Sequence, residues 1–337
     1  MKKVLLFLFS FLVGALIFFW VLKIVGWQEI KNALLVFTGW QGLAILFITF
    51  LMAVFGTWKW KAILDGKGQK ISFREMWRIY IATFSIRLLA PILIVGAEIF
   101  QGYMLKKRDE VPWPQGMSSV ILDRILEWTV NLMVILLGAV FFLLTIGIPP
   151  MKLLVCAGII ILFFTAAISL FYVKAFKKQS MTKFLGRFLN NGQENHLFEI
   201  EKEIFSFFKP RKQNMWKVFI LNFLRTGLMI LRTWLLIIFL GGKISFLSAM
   251  SVLGFTYLAM IIPIPTSLGS HEAVQSFAFN YLHLKTATAT AFTMIIRGAE
   301  LMIALLGIFI LFRLGVSLIK EIIFKRDNKS LNNYDGD

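Results

Sequence analysis

The stretch Met117–Gly147 reads MSSVILDRILEWTVNLMVILLGAVFFLLTIG. It is predominantly apolar, and its charged residues are Asp123, Arg124 and Glu127, close to its start. A hydrocarbon core about 30 Å thick needs roughly 20 apolar residues in an α-helix, so this stretch is long enough to cross a membrane. The charges are then expected inside the membrane, where they are costly and usually paired.

Similar apolar runs recur along the whole chain, which is 58% hydrophobic and only 16% charged. They cover residues 4–25, 40–58, 79–95, 151–173, 215–240, 244–262 and 286–312, with a shorter run at 98–105 and a mixed one at 268–284. The pattern predicts an all-α polytopic membrane protein with about eight hydrophobic elements. Residues 1–327 are expected to form a single transmembrane domain, followed by a polar tail at 328–337. No A-x-A-like cleavage site follows the run 4–25, so we interpret it as a retained first span and not as a signal peptide.

The formal net charge is +18, which in a soluble protein would suggest nucleic-acid binding. Here the bases lie in short blocks between apolar runs, and the positive-inside rule places such blocks in the cytoplasm. We therefore expect no nucleic-acid partner, a plasma-membrane location and both termini in the cytoplasm. The blocks are Lys2–Lys3, 59–78, Lys106–Arg108, 174–217 and 313–329.

Keeping all of these blocks on one side requires the chain to leave and return between 78 and 106, and again within 244–285. A re-entrant helical hairpin satisfies this, as does a full span followed by a short return. Non-helical backbone at membrane depth is tolerated only when it is buried in protein or lines a cavity. Both hairpins are therefore predicted to lie inside the bundle.

The two hairpins resemble each other at an offset of about 174 residues. Pro91, Gly96, Glu98 and Gln101 of the first correspond to Pro265, Gly269, Glu272 and Gln275 of the second. Each hairpin is followed by a span with Arg-x-x-Glu, at Arg124 and Arg297. The halves, about 1–150 and 151–320, each contain three crossings, so the second must be inverted. Inverted repeats with broken helices are common in transporters, with the substrate at the repeat interface.

The motifs at these positions resemble those of the flippase-like domain family, which includes the membrane domain of lysylphosphatidylglycerol synthase/flippase proteins. They are Pro91-x4-Gly96-x-Glu98, Asp123-Arg124-Ile125-Leu126-Glu127, Pro263-x-Pro265-x3-Gly269-x2-Glu272 and Arg297. Gln101 stands where an Arg is usual, and Thr266-Ser267 partly replace a glycine pair. The resemblance covers most of the chain. It implies the lipid-translocating part as a stand-alone member without the synthase domain.

Ten charged residues fall within the apolar spans or hairpins. They are Arg87, Arg124, Arg225, Arg232 and Arg297, and Glu98, Asp123, Glu127, Glu272 and Glu300. Two arrangements remain open, a closed salt-bridge network that orders the core and a polar cavity for an anionic headgroup. Arg suits the cavity because its planar guanidinium binds phosphate with two parallel hydrogen bonds. The spacing also allows Arg124 to pair with Glu127 and Arg297 with Glu300 within their helices.

The helices that begin near Gly96 and Gly269 direct free N–H groups into the predicted cavity, and helix N-termini favour anions. Glu98 and Glu272 would serve there as internal anions or as proton carriers. The candidate substrate-binding set is Arg124, Arg225, Arg232, Arg297, Glu98, Glu127, Glu272, Glu300, Gly96, Gly269, Gln101 and Gln275. No cofactor is expected. The basic loop 174–214 also suits an amphipathic helix on an anionic cytoplasmic leaflet, with an ordinary solvated loop as the alternative.

These residues lead to three functional hypotheses. The first is a lipid translocator without its own ATPase, moving an anionic phospholipid or a lipid-linked phosphate between leaflets. The second is a membrane enzyme that transfers a group to a lipid headgroup, for which Asp123 and Glu127 would hold a divalent cation. The third is an inverted-repeat solute or ion transporter. The resemblance favours lipid as the substrate.

Overall fold

The computed structural model describes residues 39–89, 96–147, 151–177, 194–208, 213–261, 270–284 and 286–331. This part of the chain contains ten α-helices and no β-strand, which confirms the all-α prediction. The helices are α1 (Trp40–Gly66), α2 (Phe73–Leu89), α3 (Gly96–Arg108), α4 (Trp113–Ile146), α5 (Met151–Lys177), α6 (Glu194–Phe207), α7 (Gln213–Phe239), α8 (Phe246–Ile261), α9 (Ser270–Tyr281) and α10 (Thr286–Leu331). The predicted span 4–25 lies outside the described residues.

Four helices, α1, α4, α7 and α10, are long and apolar enough to cross a membrane. The qualifying segments are Trp40–Gly66, Trp113–Ile146, Asn214–Phe239 and Ala291–Leu314. Large apolar side chains are exposed along these helices and along α5, among them Leu144, Leu162 and Phe309. Contiguous exposed apolar surface of this kind requires a non-aqueous neighbour. The chain is a multi-pass helical membrane protein.

The helices at the predicted hairpins are shorter. Helix α3 has 13 residues and α9 has 12, which correspond to about 20 Å and 18 Å at 1.5 Å per residue. Neither reaches across a 30 Å hydrocarbon core. The predicted turns, at 90–95 and 262–269, lie outside the described residues. These lengths support two hairpins, and whether they stop within the membrane stays a prediction.

The helices of the two halves correspond one to one. Helices α1, α2, α3 and α4 begin at 40, 73, 96 and 113, and α7, α8, α9 and α10 begin 173 or 174 residues later, at 213, 246, 270 and 286. The equivalent helices α1 and α7 pack antiparallel, because Trp40 contacts Phe239 at one end and Gly66 approaches Asn214 at the other. Antiparallel packing of equivalent helices is what an inverted repeat requires, so it supports that interpretation.

Helix pairs α2–α10 and α4–α8 exchange the same roles between the halves. In each pair a Ser hydroxyl donates to a carbonyl oxygen across the interface, Ser85 to Ala304 at 2.7 Å and Ser251 to Gly138 at 2.8 Å. Glycines allow this approach, since a Cβ on Gly307 would collide with Ser85 Oγ and the Ile81 carbonyl. Small residues bring membrane helices together in this way because lipid supplies little hydrophobic driving force between them.

We expect Gly307→Ala to destabilise the protein by about 1–3 kcal/mol, because overpacking a tight contact forces backbone shifts. The measurement is a thermal melt of the purified protein in detergent, in which the midpoint should fall by several degrees. Gly227→Ala on α7 is the matched control, since nothing lies within 4 Å of its added Cβ. Equal midpoints for the two variants would contradict the proposed α2–α10 contact.

The connection between α3 and α4 contains an unusual carboxylate. One oxygen of Asp109 is buried without a hydrogen-bond partner in the described part of the chain. Burial and the nearby Glu75 carboxylate raise the pKa of Asp109 to about 6, although the Arg108 guanidinium opposes this. Asp109 also follows the C-terminus of α3, where the helix dipole disfavours negative charge.

We expect Asp109→Asn to stabilise the protein at pH 7.5 and to have little effect near pH 4. A carboxylate with a raised folded-state pKa binds more protons in the folded state, so wild-type stability falls between about pH 4 and pH 6 and is constant above. The gain at pH 7.5 should be about 1 kcal/mol after allowance for solvent screening. Melts of both proteins across this pH range check it, and parallel curves would be inconsistent with the assignment.

The predicted cytoplasmic loop 174–214 is partly helical. Helix α6 packs against α4 through buried Ile200, Ile204 and Phe207, and Lys67 Nζ contacts Glu203 Oε2 at 3.0 Å. Most of the proposed amphipathic segment falls in 178–193, outside the described residues. At the other end of the chain, α10 continues to Leu331, into the predicted polar tail.

Candidate functional site

A chain of five charged side chains crosses the interior of the bundle between α1, α4 and α7. Its members, named here the charge network, are Lys59, Asp123, Arg124, Glu127 and Arg225. Lys59 Nζ is 2.9 Å from Asp123 Oδ1, and Arg124 bridges Asp123 and Glu127 at 2.8 and 2.7 Å. Arg225 Nη1 closes the chain on Glu127 Oε1 at 2.7 Å. Cations and anions therefore alternate, with a cation at each end.

Local helix geometry accounts for one link of the network. Arg124 and Glu127 are three residues apart on α4, which places their side chains on one face, as the sequence predicts. The other links join separate helices. Asn222 of α7 strengthens the crossing, because its Nδ2 donates to the Leu126 carbonyl oxygen at 2.7 Å.

Sequence reasoning missed Lys59 as a functional residue. The positive-inside rule assigned it to a cytoplasmic block at 59–78, but its side chain is 1% exposed and lies within α1. That assignment is wrong for Lys59, because its ammonium is held in the interior by the equally buried Asp123. The repeat offset was the available signal, since position 59 plus 173 is Arg232, another interior cation.

Arg232 occupies the equivalent place in the second half. Its Nη2 contacts Glu300 Oε1 at 3.1 Å, and its Nη1 donates to Thr49 Oγ1 at 3.3 Å. The repeat offset also places Thr49 on Asn222, whose Oδ1 is 3.5 Å from Lys59 Nζ. The two halves thus cross in the same way, each placing a cation against a polar residue of the other.

The first hairpin carries a separate ion pair, between Arg87 Nη2 and Glu98 Oε1 at 3.2 Å. It joins the end of α2 to the first turn of α3, which begins at the predicted Gly96. Arg87 also lies within electrostatic range of Arg124 and Glu127. The predicted Glu98 therefore borders the charge network.

The two hairpin glutamines differ. Gln275 Nε2 donates to Thr256 Oγ1 at 2.5 Å and approaches the Val252 carbonyl oxygen at 3.3 Å. Gln101 is equally buried, at 1% exposed, yet its amide oxygen and nitrogen have no hydrogen-bond partner among the residues that the structure describes.

The remaining predicted residues belong to the second half. Arg297 is half-buried on α10, and Glu300 of the same helix binds Arg232. Glu272 belongs to α9, and Gly269 lies outside the described residues.

The carboxylates that a metal would need are occupied by cations. Both oxygens of Asp123 and both of Glu127 are within 2.9 Å of a Lys or Arg nitrogen. Across the described ranges, no group of three or more His, Cys, Asp and Glu is arranged to hold a metal ion. The predicted divalent-cation site at Asp123 and Glu127 therefore has no open oxygen.

Of the two arrangements left open by the sequence, the described side chains form the paired network. An apolar cleft of about 240 Å³ lies beside it, between α4, α5 and α8. Its lining begins at Trp128, the residue after Glu127, and consists of Trp128, Leu132, Ile135, Ile161, Phe164 and Leu258.

Comparison with known proteins agrees with the resemblance in the motifs. The family model described as lysylphosphatidylglycerol synthase TM region matches residues 7–307. A UPF0104 membrane protein of Methanocaldococcus jannaschii is 25% identical over 296 residues, which are 84% of this chain and 85% of that protein. A UPF0104 membrane protein of Pyrococcus horikoshii is 29% identical over 276 residues, 76% of this chain and 81% of that protein. No solved structure matches the chain.

Proposed function

Since the chain belongs to the lysylphosphatidylglycerol synthase TM region family, we propose that it is a lipid translocator of the plasma membrane. It would move an anionic phospholipid or a lipid-linked phosphate between leaflets. The headgroup would bind at the charge network, and the acyl chains would remain in lipid.

The charge of the network carries this proposal. Three cations, Lys59, Arg124 and Arg225, face only two carboxylates, Asp123 and Glu127, which leaves one positive charge in excess. An uncompensated charge in a membrane interior costs about 2.5–3.5 kcal/mol on insertion scales. One phosphodiester supplies the single negative charge that would remove this cost.

The guanidinium groups have donors to spare. The Nε atoms of Arg124 and Arg225 are buried and have no hydrogen-bond partner in the described part of the molecule. A phosphate offers several acceptor oxygens, and Arg binds such groups through parallel N–H donors. Binding would therefore satisfy buried donors as well as charge.

The surroundings of the network suit an amphipathic substrate. The apolar cleft starts one residue beyond Glu127 and has the chemistry of an acyl chain. A phosphate at Arg225 with a chain segment along Trp128 would place both parts of a lipid in matching environments. Shielding the headgroup inside the bundle is what lowers the barrier to crossing the hydrocarbon core.

Lipid exchange in proteoliposomes tests the proposal. Vesicles with the full-length chain would carry tail-labelled phosphatidylglycerol or phosphatidylcholine, and an outside quencher would report the label that reaches the outer leaflet. We expect faster exchange than in protein-free vesicles, with the anionic lipid exchanging faster than the zwitterionic one.

Two results would count against the proposal. Exchange equal to that of protein-free vesicles for both lipids would exclude unaided movement of these lipids. Uptake of radiolabelled inorganic phosphate without lipid exchange would instead favour the solute-transporter hypothesis, because the network would then bind a free anion.

A further inference from the structure

We propose that Gln101 and Glu98 bind hydroxyl groups of the lipid headgroup, so that the substrate is a monoanionic phospholipid with a neutral, hydroxylated headgroup such as glycerol or a sugar. This inference rests on the proposed function and names the substrate class of that site.

The unsatisfied groups on α3 are the first observation. Both polar atoms of the Gln101 amide and the Glu98 Oε2 oxygen are buried without a hydrogen-bond partner among the described residues. Leaving a buried polar group unpaired costs about 1–3 kcal/mol, so such groups are rare unless a ligand or water meets them. Three residues separate Gln101 from Glu98, which places them on one face of α3.

Comparison of the halves shows that this vacancy is not built into the fold. In the second half Gln275 is satisfied by Thr256. The equivalent of Thr256 in the first half is Thr83, which is present and buried but donates to the Ile79 carbonyl oxygen. A partner for Gln101 is therefore available at the equivalent position and is not used.

The register of α3 and α4 places these groups beside the charge network. The two helices pack closely, with the Gly102 carbonyl oxygen 3.7 Å from where a Cβ on Gly116 would lie. Because the helices are antiparallel, Gln101 lies level with about residue 118, and Arg124 is about 9 Å further along α4 at 1.5 Å per residue. Glu98 lies between these heights and reaches the network through Arg87.

The chemistry of the groups selects the headgroup. An amide offers one acceptor and two donors, which match a hydroxyl that both donates and accepts, and a carboxylate oxygen accepts from a second hydroxyl. An ammonium headgroup would bring another cation to a network that already has one in excess, and like charges at short range repel. The arrangement therefore favours a polyol phosphate over an ethanolamine, choline or aminoacylated headgroup.

Two lipids with the same charge separate this inference from simple anion binding. Phosphatidylglycerol and phosphatidylmethanol both carry one phosphodiester charge, and phosphatidylmethanol lacks headgroup hydroxyls. Native mass spectrometry of the detergent-solubilised full chain, with the two lipids in competition, gives their affinity ratio. We expect wild type to prefer phosphatidylglycerol by about fivefold to tenfold, the value of one net hydrogen bond.

Gln101→Leu should bring the ratio close to one without lowering the melting temperature of the lipid-free protein, because the amide makes no hydrogen bond that the change would break. Gln115→Leu is the matched control. Gln115 is hydrogen-bonded to Gln69 at 2.7 Å, away from the network, so its loss should lower stability and leave the lipid ratio unchanged.

The outcomes distinguish the two proposals. A wild-type ratio near one, or a preference that survives Gln101→Leu, overturns the hydroxyl site and leaves the anion site standing. If neither anionic lipid binds better than phosphatidylcholine, the anion site itself is overturned, and with it the present inference.

Discussion

Asp123→Asn should be the most destabilising single substitution in the charge network, with a loss of about 3–5 kcal/mol, because it leaves the ammonium of Lys59 buried without its carboxylate. Both side chains of this pair are 1% exposed. The change also raises the excess charge of the network from one to two. Reversible unfolding in mixed micelles, followed by tryptophan fluorescence, would measure the loss.

The double variant Lys59→Met/Asp123→Asn makes the explanation specific. It removes one cation and one anion together, so the excess returns to one and no ammonium is left buried alone. We expect it to recover most of the stability lost in Asp123→Asn. Lys59→Met alone should cost less than Asp123→Asn, since Asp123 keeps Arg124 as a partner.

An exposed pair on the same helix provides the control. Lys61 and Asp65 are 2.7 Å apart in α1, with side chains 24% and 30% exposed. Surface ion pairs contribute about 0–1 kcal/mol, so Asp65→Asn should change stability little. Equal effects of Asp65→Asn and Asp123→Asn would show that burial of the Lys59–Asp123 pair does not govern its importance.

Arg225→Met should lower the exchange of anionic lipid by about tenfold to a hundredfold, the loss expected when a charge-assisted contact worth about 1.5–3 kcal/mol is removed. The substitution leaves Lys59 and Arg124 against Asp123 and Glu127, so the network becomes neutral. Met is a natural choice, because the repeat offset places Arg225 on Met52, which tolerates an equivalent position in α1.

A second variant separates charge from the particular side chain. Arg225→Met/Glu127→Gln restores one excess positive charge through Lys59 and Arg124 against Asp123. If excess charge attracts the headgroup, this variant should regain part of the anionic-lipid exchange. Both variants should be compared at equal amounts of folded protein in the vesicles. Full activity of Arg225→Met would remove Arg225 from the site.

The sequence by itself determined the class of protein and the spacing of its parts. Apolar runs predicted α1, α4, α7 and α10, and the repeat offset agreed with the helix starts. The Arg124–Glu127 pair was also predictable, because residues three apart on a helix are neighbours whatever surrounds them. These features depend on local geometry and on the thickness of the membrane.

Only the tertiary structure decided which residues meet between helices. Lys59 pairs with Asp123, 64 residues away, and Arg225 pairs with Glu127, 98 residues away. Such pairing depends on how each helix is rotated and on the height at which it crosses its neighbour, and neither quantity is written in a local pattern. For the same reason Gln101 and Gln275, which match in sequence, differ in the structure, because hydrogen bonding depends on the rotation of neighbouring side chains as well as on sequence position.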